Sequence, residues 1–222
     1  MGRDIAFDTP AGSIGGWRAD PVEAPRGALV VVQEIFGVNA HIRGVVDRYA
    51  AEGYVALAPA YFDVVERGVE LGYDAAGVAR GKALADAVGL ERATSITGAA
   101  ASLLQAGGLK VGIVGFCWGG TVALLGNTRL GLPASSYYGA RNVQYLDEPL
   151  RAPIQFHFGD ADPSIPPEAI AAHRARQPGT EVHVYQAAGH AFNREIDPAH
   201  YDGAAARLAH QRTMELFTRA LG

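Results

Sequence analysis

The chain contains one cysteine, Cys117, which lies between glycines in the segment GFCWGG, directly after the apolar run VGIVG. A strand followed by G-x-nucleophile-x-G and a helix is typical of a nucleophile elbow, whose tight turn exposes the central side chain above the sheet. Gly115 and Gly119 fit this pattern, because a Cβ would clash where the strand and the helix approach. The positive N-terminal end of the helix would favour a thiolate. Cys117 is therefore a candidate nucleophile, although a buried and inert cysteine is the alternative.

An aspartate and a histidine occur further along the chain in the order expected of a catalytic triad. Asp162 in HFGDADPSIP and His190 in YQAAGHAF each follow an apolar run by a few residues. In hydrolases with this elbow the chain order is nucleophile, acid, histidine. Asp162 would orient His190, and His190 would pass protons between Cys117, water and the leaving group. Taken singly, Asp162 could be a turn residue and His190 a structural histidine, but three matches in order favour the triad.

A glutamate, Glu34, follows the apolar run VVV within the segment QEIFGVN. It would either point into the rim of the sheet or be buried and paired, because burying an unpaired charge is costly. A solvated carboxylate at the strand end is the alternative. An unperturbed cysteine thiol is only about 3% ionised at neutral pH, so a base near the nucleophile would be useful. A serine version of the site is absent, since Ser13 in GSIGG has the wrong spacing and precedes any central strand.

The elements that would position these residues alternate along the chain. Continuous apolar runs predict strands covered on both faces, and helical patterns fall between them. The alternation predicts a single α/β domain over residues 1–222, with a doubly wound, mostly parallel sheet flanked by helices. In such sheets, ligands bind outside the carboxyl ends of the strands, where Glu34, Cys117, Asp162 and His190 would lie. The predicted strands are 28–33, 54–59, 111–116, 134–138, 154–158 and 181–185, and the predicted helices are 41–52, 78–88, 91–105, 119–127, 167–176 and 203–220.

Composition narrows the classes of function. Lys and Arg number 19 against 23 Asp and Glu, a net charge of −4 without any basic run, which argues against a nucleic-acid partner. Neither a signal-peptide pattern nor an apolar stretch of membrane-spanning length occurs, so a cytoplasmic protein without membrane contact is expected. One cysteine cannot form an internal disulfide, and no Cys/His cluster has zinc-site spacing. The side chains and water suffice for the proposed chemistry, so no cofactor or metal is expected.

Several segments together resemble the dienelactone hydrolase family, from about Ile5 to the C-terminus. They are QEIFGVNAHIRG, GFCWGGTVAL, SYYG, HFGDADPSIP and AGHAFNR. The resemblance implies the α/β-hydrolase fold and a triad of Cys117, Asp162 and His190. Asp160 is a rival acid, but the SIP after Asp162 resembles the turn that follows the family acid. By the same resemblance, Glu34 is an activating base that acts on the thiol when substrate binds.

The resemblance also implies residues that recognise substrate. The family reads a substrate carboxylate with two arginines, which correspond to Arg194, four residues after the histidine, and to Arg80, in the helical segment after the second central strand. A solvated surface arginine is the alternative for Arg80. Two backbone N–H groups, those of Ile35 and Trp118, would form the oxyanion hole. The remaining implied pocket residues are Phe36 and Tyr138.

Two departures from the family pattern bear on the substrate. Ala191 follows the histidine where a hydroxyl residue is common, and Leu84 stands where a tyrosine contacts substrate in the best-known members. The leading expectation is a monomeric hydrolase that cleaves a small carboxylated enol-lactone or ester, of the dienelactone type, through an acyl thioester on Cys117. A related carboxylesterase or thioesterase is the second reading. A non-catalytic domain that binds a small acid or senses oxidants through Cys117 is the third, and it has no need of the triad order.

Overall fold

The structure, a computed structural model, describes all residues from Met1 to Gly222 and contains eight strands and six α-helices. The strands are β1 (Arg3–Thr9), β2 (Gly12–Ala19), β3 (Gly27–Val32), β4 (Tyr54–Pro59), β5 (Val111–Phe116), β6 (Ala134–Tyr137), β7 (Ile154–Gly159) and β8 (Glu181–Tyr185). The helices are α1 (Ala40–Ala51), α2 (Ala75–Val88), α3 (Leu90–Gln105), α4 (Trp118–Leu130), α5 (Pro167–Arg176) and α6 (Gly203–Leu221). Two short 3₁₀ helices cover Tyr61–Val64 and Asn142–Tyr145. None of the helices is long and apolar enough to span a membrane.

The eight strands are hydrogen-bonded in the order β1-β2-β4-β3-β5-β6-β7-β8. Strand β3 pairs with β4 in parallel, as do β6 with β7 and β7 with β8, whereas β2 is antiparallel to both β1 and β4. Helices follow the central strands along the chain, since a parallel connection requires a crossover. The prediction of a mostly parallel sheet flanked by helices is confirmed.

The sequence-based strands and helices agree with the structure, with two omissions. The six predicted strands and six predicted helices are all present, and their bounds differ by at most three residues. Strands β1 and β2 are not among the predicted strands, because few of their residues are buried and neither forms a continuous apolar run. Strand β6 ends one residue before the predicted boundary, since Tyr138 has a φ of 38°, outside the extended region.

The molecule contains two compact units, and residues 1–113 with 221–222 form the first. Its core is built on β3 and β4, in which every residue is buried, with α1 and α3 in contact with β4. Two helix caps fix the entry of its helices: Asn39 accepts a hydrogen bond from the N–H of Ile42, and Asp74 accepts one from the N–H of Gly77. The prediction of a single domain stays a prediction.

Residues 114–220 form the second unit, whose core is built on α4, β6 and β7. Eleven consecutive residues of α4, from Trp118 to Thr128, are buried, which is typical of a helix covered on all sides.

A buried hydrogen-bond network centres on Thr213 of α6. The hydroxyl of Thr213 lies 2.9 Å from the hydroxyl of Ser135, 2.8 Å from that of Tyr137 and 3.1 Å from the amide nitrogen of Gln155. These hydrogen bonds satisfy buried polar groups and tie α6 to β6 and β7.

Candidate active site

Cys117 occupies the turn between β5 and α4 with a φ of 57° and a ψ of −115°. Such a conformation is rare for a side-chain-bearing residue and marks local backbone strain. The turn is tight enough that a Cβ on Gly115 would lie 1.9 Å from the carbonyl oxygen of Gly119. A Cβ on Gly120 would lie 2.5 Å from that of Tyr137, whose carbonyl also accepts a hydrogen bond from the N–H of Cys117. The glycines are therefore required for the turn that presents the thiol.

A chain of hydrogen bonds runs from Asp162 through His190 to the thiol. Oδ2 of Asp162 lies 2.7 Å from Nδ1 of His190, and Nε2 of His190 lies 3.1 Å from Sγ of Cys117. The other oxygen of the Asp162 carboxylate accepts the N–H of Ser164 at 2.8 Å, and the Asp162 side chain has no exposed surface. Because a carboxylate can only accept, Nδ1 of His190 donates and Nε2 is directed at the sulfur. The structure thus brings together the three residues that the sequence singled out as a triad.

The same contacts set the protonation of His190. Burial alone would lower its pKa, but hydrogen bonds to Asp162 and Cys117, and the charges of these two partners, outweigh it and raise the pKa to about 10. An imidazole with this pKa is protonated at neutral pH. The imidazolium then faces the sulfur of Cys117.

The rival acid, Asp160, lies outside this chain of hydrogen bonds. Its Oδ1 accepts a hydrogen bond from the backbone N–H of Ala187 at 2.6 Å. Asp160 therefore contacts the loop that carries His190 but not the imidazole itself. Two residues further along the chain, Asp162 is buried and makes the contact that orients the ring.

Four residues other than glycine have a positive φ, and all four lie near the triad in sequence or in space. They are Cys117 (57°), Tyr138 (38°), Ala187 (60°) and Ala191 (63°). Tyr138 is fully buried, and its ring centroid lies 5.1 Å from that of His190. Tyr138 thus packs against His190.

Arg194 is buried, with 6% of its side chain exposed, and pairs with Asp197 at 2.9 Å. Asp197 also accepts a hydrogen bond from Nδ1 of His200 at 2.8 Å. Burial would raise the pKa of Asp197, but the hydrogen bonds from Arg194 and His200 outweigh it and lower the pKa. Asp197 was not singled out from the sequence. The spacing of three residues from Arg194 was the available signal, since such a spacing brings two side chains together in one turn of chain.

Two other residues of the second unit that the sequence singles out directly follow Cys117 or His190 along the chain. Trp118 is the first residue of α4, directly after Cys117, and is buried. Ala191, where the sequence departs from the family pattern, is buried directly after His190. An alanine at this position leaves no hydroxyl beside the imidazole.

The remaining predicted residues lie in the first unit. Glu34 and Phe36 are buried in the segment after β3. The backbone of Ile35 lies against α2, because a Cβ on Gly81 would be 2.0 Å from the Ile35 carbonyl oxygen. Arg80 on the same helix is 53% exposed and forms an ion pair with Glu66 at 2.5 Å. The structure thus places Arg80 on the surface of its unit, whereas Arg194 is buried in its own.

No group of three or more histidine, cysteine, aspartate or glutamate side chains is arranged to hold a metal ion.

The chemistry available to the site follows from its three hydrogen-bonded side chains. They are a sulfur that can act as a nucleophile, an imidazole that can carry a proton and a carboxylate that fixes the orientation of the imidazole. This set of groups is suited to nucleophilic acyl transfer.

Comparisons with known proteins agree with this chemistry. The sequence profile of the dienelactone hydrolase family matches residues 14–221. The carboxymethylenebutenolidase of Pseudomonas putida is 30% identical over 214 residues, 91% of this chain and 90% of its own length. A Synechocystis sp. protein described as a candidate enzyme of the same name is 33% identical over 230 residues, 94% and 92% of the two chains.

Solved structures show the same fold. A candidate dienelactone hydrolase from Klebsiella pneumoniae superimposes with a TM-score of 0.84 at 28% identity, covering 99% of each chain. A Pyrococcus furiosus esterase superimposes with a TM-score of 0.72 at 14% identity, covering 100% of this chain and 91% of its own, which is evidence of the fold alone. The α/β-hydrolase fold implied by the sequence is confirmed, and with it an ester-cleaving hydrolase. The chain belongs to the dienelactone hydrolase family.

Proposed function

We propose that the protein hydrolyses a small carboxylated enol-lactone or ester, of the dienelactone type, through a covalent acyl thioester on Cys117. The observation that carries the proposal is the chain of hydrogen bonds from Asp162 through His190 to Cys117, with the sulfur on a strained elbow. The family to which the chain belongs and its relative in Pseudomonas putida support the substrate class.

In the first half of the reaction, the Cys117 thiolate attacks the ester carbonyl and forms the carbon–sulfur bond. The carbon–oxygen bond of the ester then breaks, and the leaving oxygen departs as an enolate or alkoxide. The proton that neutralises it comes from the His190 imidazolium, whose Nε2 lies 3.1 Å from the sulfur. An acyl thioester and a neutral His190 result.

In the second half, His190 acts as the base. Acylation removes the negative charge from the sulfur, and with it one of the contributions that raise the pKa of His190. The neutral imidazole, held by Asp162, takes a proton from water, and the resulting hydroxide attacks the thioester. The carbon–sulfur bond breaks, the carboxylic acid product leaves and the thiolate is restored with the imidazolium beside it.

The family resemblance supplies the remaining roles in the proposal. When substrate binds to a molecule whose Cys117 is still in the thiol form, Glu34 would act as the activating base that takes the thiol proton. The N–H groups of Ile35 and Trp118 would stabilise the oxyanion. Each oxyanion donor would contribute on the order of a hundredfold in rate. Arg194 and Arg80 would bind the substrate carboxylate, and the pocket residues Phe36 and Tyr138 would line the cavity around it.

A sulfur nucleophile favours some leaving groups over others. From a tetrahedral intermediate, thiolate is expelled more readily than an amide nitrogen, whereas an enolate that rearranges to a ketone competes well. An activated ester or an enol-lactone is therefore the expected substrate, and a peptide is not. Turnover of an amide faster than an enol-lactone would contradict this part of the proposal.

The test follows the loss of dienelactone ultraviolet absorbance with purified wild-type protein and, in parallel, with Cys117→Ala. We expect turnover by the wild type and a loss of at least about a thousandfold in the variant, because the covalent step is removed. A wild type without turnover would reject the dienelactone substrate, and equal turnover by the variant would reject Cys117 as the nucleophile.

A second function, that of a carboxylesterase or thioesterase without dienelactone activity, is favoured by two residues. Leu84 is buried on α2 where a tyrosine contacts substrate in the family, and Ala191 replaces a hydroxyl residue beside His190. A panel of dienelactones, aryl esters and acyl thioesters separates the two functions. A ratio of kcat/KM values above ten in favour of dienelactones would support the first.

The proposal also includes a monomer that acts in the cytoplasm on a small molecule. The single cysteine is free in the structure, which suits a reducing compartment. Gel filtration with light scattering would measure the mass against the 23.3 kDa of one chain.

A further inference from the structure

We infer that Asp160 is a positioning residue for His190. This inference rests on the proposed function, because it concerns the geometry of the same triad. Asp160 does not touch His190, Asp162 or Cys117 through any hydrogen bond of its side chain, which is instead engaged with the N–H of Ala187 at 2.6 Å. Its effect on the imidazole therefore passes through the backbone of the loop that ends at His190.

Besides the contact between Asp162 and His190, three hydrogen bonds join the loop that carries the acid to the loop that carries the histidine. The N–H of Asp160 donates to the carbonyl of Tyr185 at 3.1 Å, and the N–H of Ala161 donates to the carbonyl of Ala188 at 3.0 Å. The contact from the N–H of Ala187 to the Asp160 carboxylate is the only one of the three that depends on a side chain. Position 160 is therefore where a substitution can loosen the two loops without a change to the backbone hydrogen bonds.

The loops also approach closely at the end of β7. A Cβ on Gly159 would lie 2.0 Å from the carbonyl oxygen of Ala188, so only glycine fits there. Asp160 follows Gly159 directly, and the next hydrogen bond of the pair ties Ala161 to Ala188. The carboxylate thus acts at the point where the two loops separate from their strands.

Ala187, the residue that Asp160 binds, has a φ of 60°. This left-handed conformation is unfavourable for an alanine relative to the right-handed one, so a compensating contact is needed to hold it. The hydrogen bond to Asp160 is charge-assisted and short, and it supplies such a contact. Only two residues separate Ala187 from His190, so relaxation of Ala187 would displace the ring.

A small displacement is enough to matter. Nδ1 of His190 lies 2.7 Å from Asp162 and Nε2 lies 3.1 Å from Cys117, and both distances depend on the position of one ring. A misplacement of about 1 Å can cost on the order of a hundredfold in rate. Because Asp160 and Ala187 are exposed and screened by solvent, we expect a smaller effect, of about tenfold in kcat, with KM changed less than twofold.

The test compares Asp160→Ala with Asp160→Asn, and uses the titration of His190 followed by ¹⁵N nuclear magnetic resonance as its first readout. In the wild type we expect a midpoint near 10, since contacts to Asp162 and Cys117 raise the pKa of His190 to about 10. In Asp160→Ala the midpoint should fall, because the ring separates from both partners. In Asp160→Asn the amide oxygen can still accept from Ala187, so the wild-type midpoint should be largely retained.

A second substitution tests the route through the backbone. Glycine adopts the left-handed conformation at no steric cost, so Ala187→Gly in the Asp160→Ala background should restore most of the midpoint and of kcat. Asp147→Ala serves as the control, since it removes an exposed carboxylate of the same unit that pairs with Arg176 and not with the histidine loop. It should leave the titration and kcat unchanged.

An unchanged His190 midpoint in Asp160→Ala, or a fall that Ala187→Gly does not reverse, would overturn the inference. An equal fall in Asp147→Ala would overturn it as well, since charge alone would then explain the effect. The titration needs no substrate, so it reports on Asp160 even where the wild type hydrolyses no dienelactone. Failure of the proposed function is seen in the wild-type assay, and failure of this inference is seen in the variants.

Discussion

The two units of the molecule differ in which residues occupy strained backbone positions. In the first unit, every residue with a positive φ is a glycine, and six glycines take this role. In the second unit, only Gly131 and Gly179 do so, and four residues with side chains share the conformation. Three of these are Cys117, Ala187 and Ala191, which are the proposed nucleophile and two residues of the loop around His190.

The difference indicates where the fold tolerates an unfavourable backbone conformation. A left-handed or otherwise rare backbone conformation costs a residue with a side chain on the order of 1–3 kcal/mol, and glycine avoids most of that cost. At the turns of the first unit the shape of the backbone is what matters, so glycine suffices. At the elbow the side chain is the proposed functional group, so exchange of Cys117 for glycine would remove the proposed nucleophile.

The largest expected effect comes from Cys117→Gly. This substitution places a glycine at a positive-φ position of the second unit, as at every such position of the first unit. Hydrolysis should fall by at least about a thousandfold, whereas the free energy of unfolding should rise by about 1 kcal/mol, because glycine adopts this conformation at lower cost. Ester turnover and urea denaturation measure the two changes. Cys117→Ala is the control, since it removes the thiol and keeps the strain. A stability gain of the same size in Cys117→Ala would show that strain is not its source.

A smaller effect, on the free energy of unfolding and not on hydrolysis, is expected of Gly37→Ala in the first unit. Gly37 has a φ of 82°, and an added Cβ would lie 1.9 Å from the carbonyl oxygen of Val69. We expect the free energy of unfolding to fall by about 3 kcal/mol, from the clash and the unfavourable φ together. Gly68→Ala is the matched control, because Gly68 has a φ of 67° and an added Cβ would meet nothing within 4 Å. It should lose about 1 kcal/mol. Equal losses at both positions would mean that the clash is relieved.

The smallest effect is expected of Ala191→Gly, beside His190. Relief of the left-handed alanine and the added freedom of the unfolded chain oppose one another, so a net gain of less than about 1 kcal/mol is expected. A looser loop should also lower kcat by a few-fold. Thermal unfolding and initial rates give the two values. A loss of stability would instead mean that the Ala191 methyl group, which is buried, contributes more by packing than its backbone costs.

The central elements of the fold were predictable from the sequence, and the edge of the sheet was not. Buried parallel strands such as β3 and β4 are continuous apolar runs, because both of their faces are covered. Strand β2 contains three glycines among eight residues, and in β1 an apolar segment of only three residues is flanked by charged residues on both sides. Antiparallel pairing at a sheet edge depends on the partner strand more than on local composition, so neither strand stands out.

The triad residues could be singled out because their types, their order and the glycines around Cys117 are features of the sequence itself. The contacts that Asp160 and Asp197 make could not be predicted in the same way. Asp160 binds a backbone N–H of Ala187, 27 positions away, and no residue type marks a backbone donor. For Asp197, the spacing of three residues from Arg194 is a signal of the pairing, but the burial of that arginine, on which the importance of the pair depends, is not visible in the sequence.

The close approach of Gly159 to Ala188 also bears on how this enzyme can be engineered. Substrate range in a hydrolase is often altered by exchange of loops between relatives. Here the segments 159–165 and 185–191 share hydrogen bonds and a contact that only glycine permits, so they form one exchangeable module. A chimera that imports either segment alone would separate the acid from its histidine, whereas one that imports both would carry the pair over intact.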